Sequence, residues 1–415
     1  MTIKLGEYQR LCRRFKASTL ILGIAGLIYG SVVNATPEDQ AKRIHDRLTG
    51  NLPSQSILSQ MVNLINTGGA NGGYQAARLA IDNDADHSFY NVTLKNWASP
   101  WTNRESDAFA DLNDYTATAI GYVRDERDFR GLLYEDVLYV GNGPSASYAV
   151  NNNNHYMELE AGLELNGDPG FSLKDDLEAR PQSSLVPAFA SGGASGVVTS
   201  RASAKAFLIA GTNRAAFRFT LLNHLCLDLE QVHDVTRIPD RIRQDVSRSP
   251  GGDSRVFLNN CIGCHSGMDP LTQSLAYHNY AFDAENDPTG ENGQVEYTAG
   301  TVQSKYFNND ATFAPGYRTP DDSWANYWRE GKNAVIGWDT SLPGRGTGAS
   351  SMFQELANTQ AFAQCHVERV FKTVCLRTPH SSEDLAQVSS LVSEFQADGN
   401  LKHIFASSAN YCKGE

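Results

Sequence analysis

Cysteine is scarce in this chain, 7 residues in 415, and methionine is scarcer at 5. There is no second Cys-x-x-Cys and no pair of histidines at metal-ligand spacing, which argues against a structural zinc site even though His278 is at hand. The phosphate-binding glycine loop, the Gly-x-Ser-x-Gly elbow and the His-Glu-x-x-His helix are all missing, so the chemistries they carry find no footing. Beyond residue 35 no apolar run is long enough to cross a bilayer. No internal repeat is visible.

Positive charge is also short, except at the start. Lys4, Arg10, Arg13, Arg14 and Lys16 precede a mostly apolar run from Ala17 to Val33, and Val33-Asn34-Ala35 offers small residues for cleavage. Residues 1–35 therefore read as a secretory signal, the run being short for an uncleaved anchor. Its removal takes five Lys/Arg from 35 and one Glu from 47, leaving 30 and 46 and a net charge of −16. A surface of that sign repels nucleic acid and anionic lipid and favours a basic partner. The expected location is the periplasm or the extracellular space, with no integral membrane span after signal cleavage.

Against this scarcity stands Cys261-Ile262-Gly263-Cys264-His265. Two thiols two residues apart can each add across a haem vinyl group, and the adjoining imidazole reaches the iron from one face. With so few cysteines the pentapeptide is not a chance occurrence. It implies one covalent haem c, bound by Cys261, Cys264 and His265, with His265 the iron ligand. A thioredoxin-like redox pair would need a strand–motif–helix context; the surrounding glycines and asparagines do not supply it.

Four cysteines remain after the signal and the haem motif, Cys226, Cys365, Cys375 and Cys412, an even number suited to two disulfides in an oxidising compartment. Apolar spacing predicts one helix over 353–375, which puts Cys365 and Cys375 about 15 Å apart, too far to pair. Ser381 with Asp384 resembles a capping box, and Leu385, Val388, Leu391, Val392 and Phe395 predict a second helix that Gly399 stops. A third runs from Leu401 towards Tyr411. Up, down and up again, these helices return Cys412 to the end that carries Cys375. The expected pairs are Cys375–Cys412 and Cys226–Cys365.

The fold class is mainly α, in four parts: the signal at 1–35, a helical unit at 36–190, a cytochrome c-like haem unit at 197–345, and a three-helix module at 346–415. Ile57–Ile65 and Tyr115–Val123 have helical periodicity, whereas Gly131–Val140 is apolar without a decisive period. Ser191–Gly196 is the boundary candidate, being glycine-rich and short. A helix over 201–229 is expected to break near Gly211. The haem unit is expected to hold long loops and a hairpin around Gln294–Phe307. Trp324, Trp328 and Trp338 are expected to pack in the core, the alternatives being a pocket lining or an electron path.

Several stretches, taken in order, resemble a family of exported proteins known as planctomycete-type cytochromes, built from domains of unknown function. They are Asp125–Val140; Gly196–Cys226 with Arg214 and its Leu-Leu-Asn-His-Leu-Cys end; Cys261–Asp283, where Cys-x-x-Cys-His is followed by Asp269-Pro270; and Leu356–Val374 with the two helices after it. The chain departs from that pattern between Cys226 and Cys261, where a proline-rich run is replaced, and in the degraded segment after Asp269-Pro270. The resemblance implies a haem-c protein and no particular reaction.

The second axial ligand decides what such a haem does. Met352 follows the attachment motif far downstream at a predicted helix start, the order found in small c-type cytochromes. His366, adjoining Cys365, is the second choice, with His278 and His224 behind it. Met268 lies on the same side as His265 and too near it to reach around the ring. These residues point to an exported mono-haem cytochrome that passes single electrons to a redox partner protein. The competing expectation is a haem-c peroxidase or oxygenase with an open iron, motivated by the size of the N-terminal unit, although di-haem peroxidases need two attachment motifs. A haem-stabilised cell-surface binding module is a third.

Overall fold

Three helices, the first two with side-chain caps, open the described part of the computed structural model, which covers residues 35–164, 170–209, 211–307 and 316–414. The expected signal therefore lies, except for Ala35, outside the described residues. Thr36 caps Pro37–Thr49 in a capping box with Asp39, and Gly50 ends that helix with φ 74°. Ser54 caps Gln55–Thr67, and Gly72–Asn83 follows. The chain is mainly helical, with 15 α-helices among the described residues and three two-stranded antiparallel sheets.

The N-terminal and C-terminal modules share one core. Gly72–Asn83 packs against Pro37–Thr49, Gln55–Thr67 and the last helix, Leu401–Tyr411, which in turn packs on Gln360–Cys375. Ile44, Met61, Ala80, Phe89, Phe371, Ile404 and Phe405 are buried together there. Phe89 meets Phe405 edge-on with centroids 5.1 Å apart. Arg43 and Arg47 donate to the carbonyls of Lys413 and Cys412 at 2.7 and 2.6 Å, tying the two ends of the chain. Sequence distance hid this joint bundle, because an apolar stripe does not say which partner covers it.

Asp114–Arg124 runs through the middle, buried from Asp114 to Val123. Gly121 gives room for the Tyr139 ring on strand Leu138–Gly141, which pairs with Leu177–Arg180. The ambiguous Gly131–Val140 segment thus resolves into a short turn, Phe129–Leu133, followed by a strand.

The boundary candidate Ser191–Gly196 is tied into the core at its C-terminal end. Its last residues are buried, Gly196 N–H donates to the Glu135 carbonyl at 2.8 Å and Val197 N–H to that of Leu132 at 2.9 Å. Gly196 has φ 45°, and a side chain there would run into the Leu132 carbonyl. Glycine serves close backbone approach here, not flexibility. Residues 35–415 form one unit with a continuous core from Ala41 to Cys412.

The break near Gly211 is present. Arg201–Phe207 ends, Gly211 and Asn213 take φ 67° and 63°, and Arg214–Thr220 starts anew. The hairpin is found earlier than expected: His278–Ala281 pairs with Gln294–Tyr297, and Ser304–Phe307 is a short helical turn. The single helix expected over 353–375 is two, Ala349–Ala357 and Gln360–Cys375, because the Thr359 hydroxyl accepts Phe362 N–H and caps a new start. Ser381 caps Ser382–Asp398 through Asp384 N–H, and Gly399 closes it with φ 68°. Both expected disulfides are formed, Cys226–Cys365 and Cys375–Cys412, each with Cα atoms 5.4 Å apart.

Candidate haem-attachment site

Phe257–Cys261 is a π-helical turn that tightens into the α-helix Ile262–Thr272 at the motif itself. Such turns recur at functional sites, where they re-aim side chains relative to a regular helix. Cys261 and Cys264 lie one turn apart, both partly exposed, and are the unpaired cysteines among the described residues. Burial, helped by Cys261, Glu230 and Asp228, pushes the Cys264 thiol pKa up, so the group stays protonated. Its sulfur faces the Leu229 carbonyl at 3.5 Å.

The segment from Leu229 to Asp234 runs along this helix. Asp234 N–H donates to the Gly263 carbonyl at 2.9 Å, and a side chain at 263 would strike the His233 ring. On the next turn Gly267 gives room to the Trp328 indole, which is fully buried against Phe217. Asn333 fastens the same layer by donating to the Val232 carbonyl at 2.8 Å. Trp324 and Trp338 are held by their own N–H groups, on Ser351 and on the Trp328 carbonyl. The three tryptophans are packing, not a pocket wall.

His265 is presented rather than packed. Its side chain keeps 20% exposure, and Nδ1 lies 3.1 Å from Oδ1 of Asp269, one turn on. A carboxylate only accepts, so Nδ1 carries the proton and Nε2 keeps its lone pair. Among the described residues Nε2 has no hydrogen-bond partner. Asp269 is fully buried and gripped by Arg214, whose Nε and Nη2 donate to it at 2.7 and 2.9 Å. The other edge of Arg214 binds Asp245 at 2.6 and 2.8 Å. Arg243, also buried, donates its backbone N–H to Asp269 at 3.2 Å and a guanidinium N–H to Thr272 at 2.9 Å. Burial opposes the charge on Asp269, yet Arg214, His265 and Arg243 hold its carboxyl well below the usual range. Burial likewise opposes the charge on Arg214, which Asp269 and Asp245 more than offset.

The donor set fits a covalently held haem. Two free thiols and an imidazole with a bare nitrogen sit on one helix face, and the second imidazole nitrogen is fixed by a carboxylate, as metal-bound histidines commonly are. Ten large apolar side chains are exposed among the described residues, and Val235, Ile238, Leu258 and Val335 lie on the three short segments around the motif. Leu258 is 53% and Val335 87% exposed.

The candidate second ligands are all in the interior. Met352 is fully buried in the main core on Ala349–Ala357, a helix packed on Phe129–Leu133 and Arg345–Thr347. His366 is sealed among Trp97, Trp101, Phe129 and Phe362, and its Nε2 lies 3.1 Å from Nδ1 of His224. The Tyr115 hydroxyl closes the series on His224 Nε2 at 2.6 Å. Burial, with Arg369 nearby, drives the His224 pKa down to about 3 and that of His366 well below its ordinary value. His278 donates Nε2–H to the Gly193 carbonyl at 2.7 Å, and burial lowers its pKa to about 4. Met268 is buried on the attachment helix itself.

Sequence reasoning passed over Asp245 and Arg243 and gave Asp269 and Arg214 no role. The available signal was Asp269 four residues after His265, the spacing that puts both on one helix face. No known family model matches this chain, nor does any curated protein or solved structure.

Proposed function

We propose that this chain is an exported mono-haem c-type cytochrome that passes single electrons, as its resemblance to planctomycete-type cytochromes implies. The observation that carries the reading is the pairing of two free thiols with an imidazole whose Nδ1 is engaged by a buried carboxylate and whose Nε2 is bare. Cys261 and Cys264 would form the two thioether links, and His265 Nε2 would ligate iron. The bound haem would supply Fe(III)/Fe(II) cycling without bond chemistry on a substrate. For their part, the packed helix and the Asp234–Gly263 bond hold thiols and imidazole in register, and the exposed Val235, Ile238, Leu258 and Val335 would supply apolar contact to a bound haem. An acidic exported surface suits a basic redox partner protein in the periplasm or outside the cell.

The test is mass analysis of the full chain matured in an exporting host with haem-attachment machinery. One added haem is expected, absent in the Cys261→Ala/Cys264→Ala double variant; a bare wild-type polypeptide overturns the reading. The interior placement of Met352, His366, His224 and His278 favours a second reading, in which iron keeps an open face and binds small ligands. Rapid carbon monoxide binding by the ferrous holoprotein supports it, and a six-coordinate low-spin iron that ignores carbon monoxide rules it out.

A further inference from the structure

We propose that Asp269 is a positioning residue that fixes the tautomer and electron-donating strength of His265, and thereby sets how strongly this site favours Fe(III). The inference rests on the haem reading above. It begins with geometry: Asp269 Oδ1 sits 3.1 Å from His265 Nδ1, on the same helix and fully buried, so no water competes for the imidazole N–H. Free imidazole has no such compulsion. Here the carboxylate forces the proton onto Nδ1 and leaves Nε2 bare before any metal arrives.

The carboxylate is itself anchored. Arg214 holds both its oxygens, Asp245 holds Arg214 from the far side, and Arg243 donates to Oδ2. Two arginines face two aspartates, so the cluster is neutral and needs no charge on His265 to balance it. Two effects then compete on the imidazole. The carboxylate pulls on the Nδ1 proton and enriches Nε2 in electron density, which stabilises Fe(III). Arg214 Nε, at 2.7 Å from the same Oδ1, draws density away. The shorter bond goes to arginine, so the push on His265 is real but tempered, short of proton transfer to the carboxylate. The break near Gly211 is what brings Arg214 over the attachment helix, and Arg214 is therefore part of the haem site although it lies far from it in sequence.

Two measurements test this. In the full chain made without haem attachment, nitrogen-15 NMR should find His265 with its proton on Nδ1; a proton on Nε2 overturns the proposal without any variant. In the holoprotein, Asp269→Asn keeps an acceptor but removes the charge. It should shift the Fe(III)/Fe(II) ratio at fixed potential about tenfold towards Fe(II), which is about 59 mV for one electron, and lower the ferrous iron–histidine stretching frequency. Asp245→Asn removes an equal charge from the same arginine without touching His265. It should shift the ratio less than about twofold, a difference that hydrogen bonding explains and distant charge does not. Equal shifts in the two variants overturn the proposal. A chain that never gains haem in the attachment test fails the underlying reading instead, so the two failures are distinguishable.

Discussion

Two sets of histidines in this molecule meet opposite treatment. His265 keeps part of its ring exposed and has a buried carboxylate on Nδ1. His224 and His366 are sealed in an aromatic box, bonded to each other, with an arginine nearby and no carboxylate against either ring. The first arrangement keeps a nitrogen lone pair available at the surface. The second hides both rings and makes their protonation costly. Residue type is the same in both; counter-ion and exposure separate a presented imidazole from a packing group. The ion pairs differ likewise: the cluster below His265 buries Asp269 and Arg243 fully, with Arg214 and Asp245 partly exposed, whereas Arg78 and Glu126 in the helical bundle pair nearer the surface.

The sharpest way to break this contrast is to remove each ring in turn. His265→Ala should change the optical spectrum of the attached haem, whereas His366→Ala should leave that spectrum intact and destabilise the fold by about 3 kcal/mol through the cavity. A spectrum lost in His366→Ala would reverse the assignment. In stability the two cross-links count for more, and only Cys226–Cys365 lies beside the box. Cys226–Cys365 closes 139 residues and Cys375–Cys412 closes 37, so replacing each pair by serine should cost about 5 and about 4 kcal/mol in denaturant unfolding.

Acid should act on the sealed histidines. Unfolded imidazoles take a proton near pH 6.5, while folded His224 resists until about 3 and His366 is held low as well. Their folded pKa values are depressed, so the stability they confer is complete above the unfolded value and is lost as pH falls. Between about pH 6 and 4 His224 should contribute a slope of about 1.4 kcal/mol per pH unit, with His366 and His278 adding in the same direction. A urea midpoint that stays constant from pH 6.5 to 4.5 would contradict this. The smallest effect is expected at Met352. Met352→Leu conserves volume in a sealed core and should cost less than about 1.5 kcal/mol, with no change in the haem spectrum.

Local signals were readable where a short-range physical rule decides the outcome. Ser381 and Gly399 bound their helix as their cap chemistry demands, and helix geometry alone eliminated a Cys365–Cys375 link and pointed to the two disulfides that are formed. The helix break at Thr359 was missed because Leu356 and Phe362 keep helical spacing across it, so periodicity masks the cap. At Ser191–Gly196 the sequence signal is ambiguous, because glycine suits both flexible linkers and tight approach, and the Leu132 carbonyl beside Gly196 makes it the latter there. His366 looked like a haem neighbour through its disulfide, but the bridge lands on the exposed end of the His224 turn while the ring points into the box.

By itself the sequence determined the Cys261–His265 pentapeptide, the mainly helical class, the Ser381 and Gly399 caps and the cysteine pairs, since each depends on residues a few positions apart or on counting. Tertiary structure alone decided that the terminal helices share one core, that Met352 and His366 are interior, and that Arg214, Asp245 and Arg243 converge on Asp269. Those outcomes depend on burial and on charges brought together from distant segments, and neither is encoded in any local pattern.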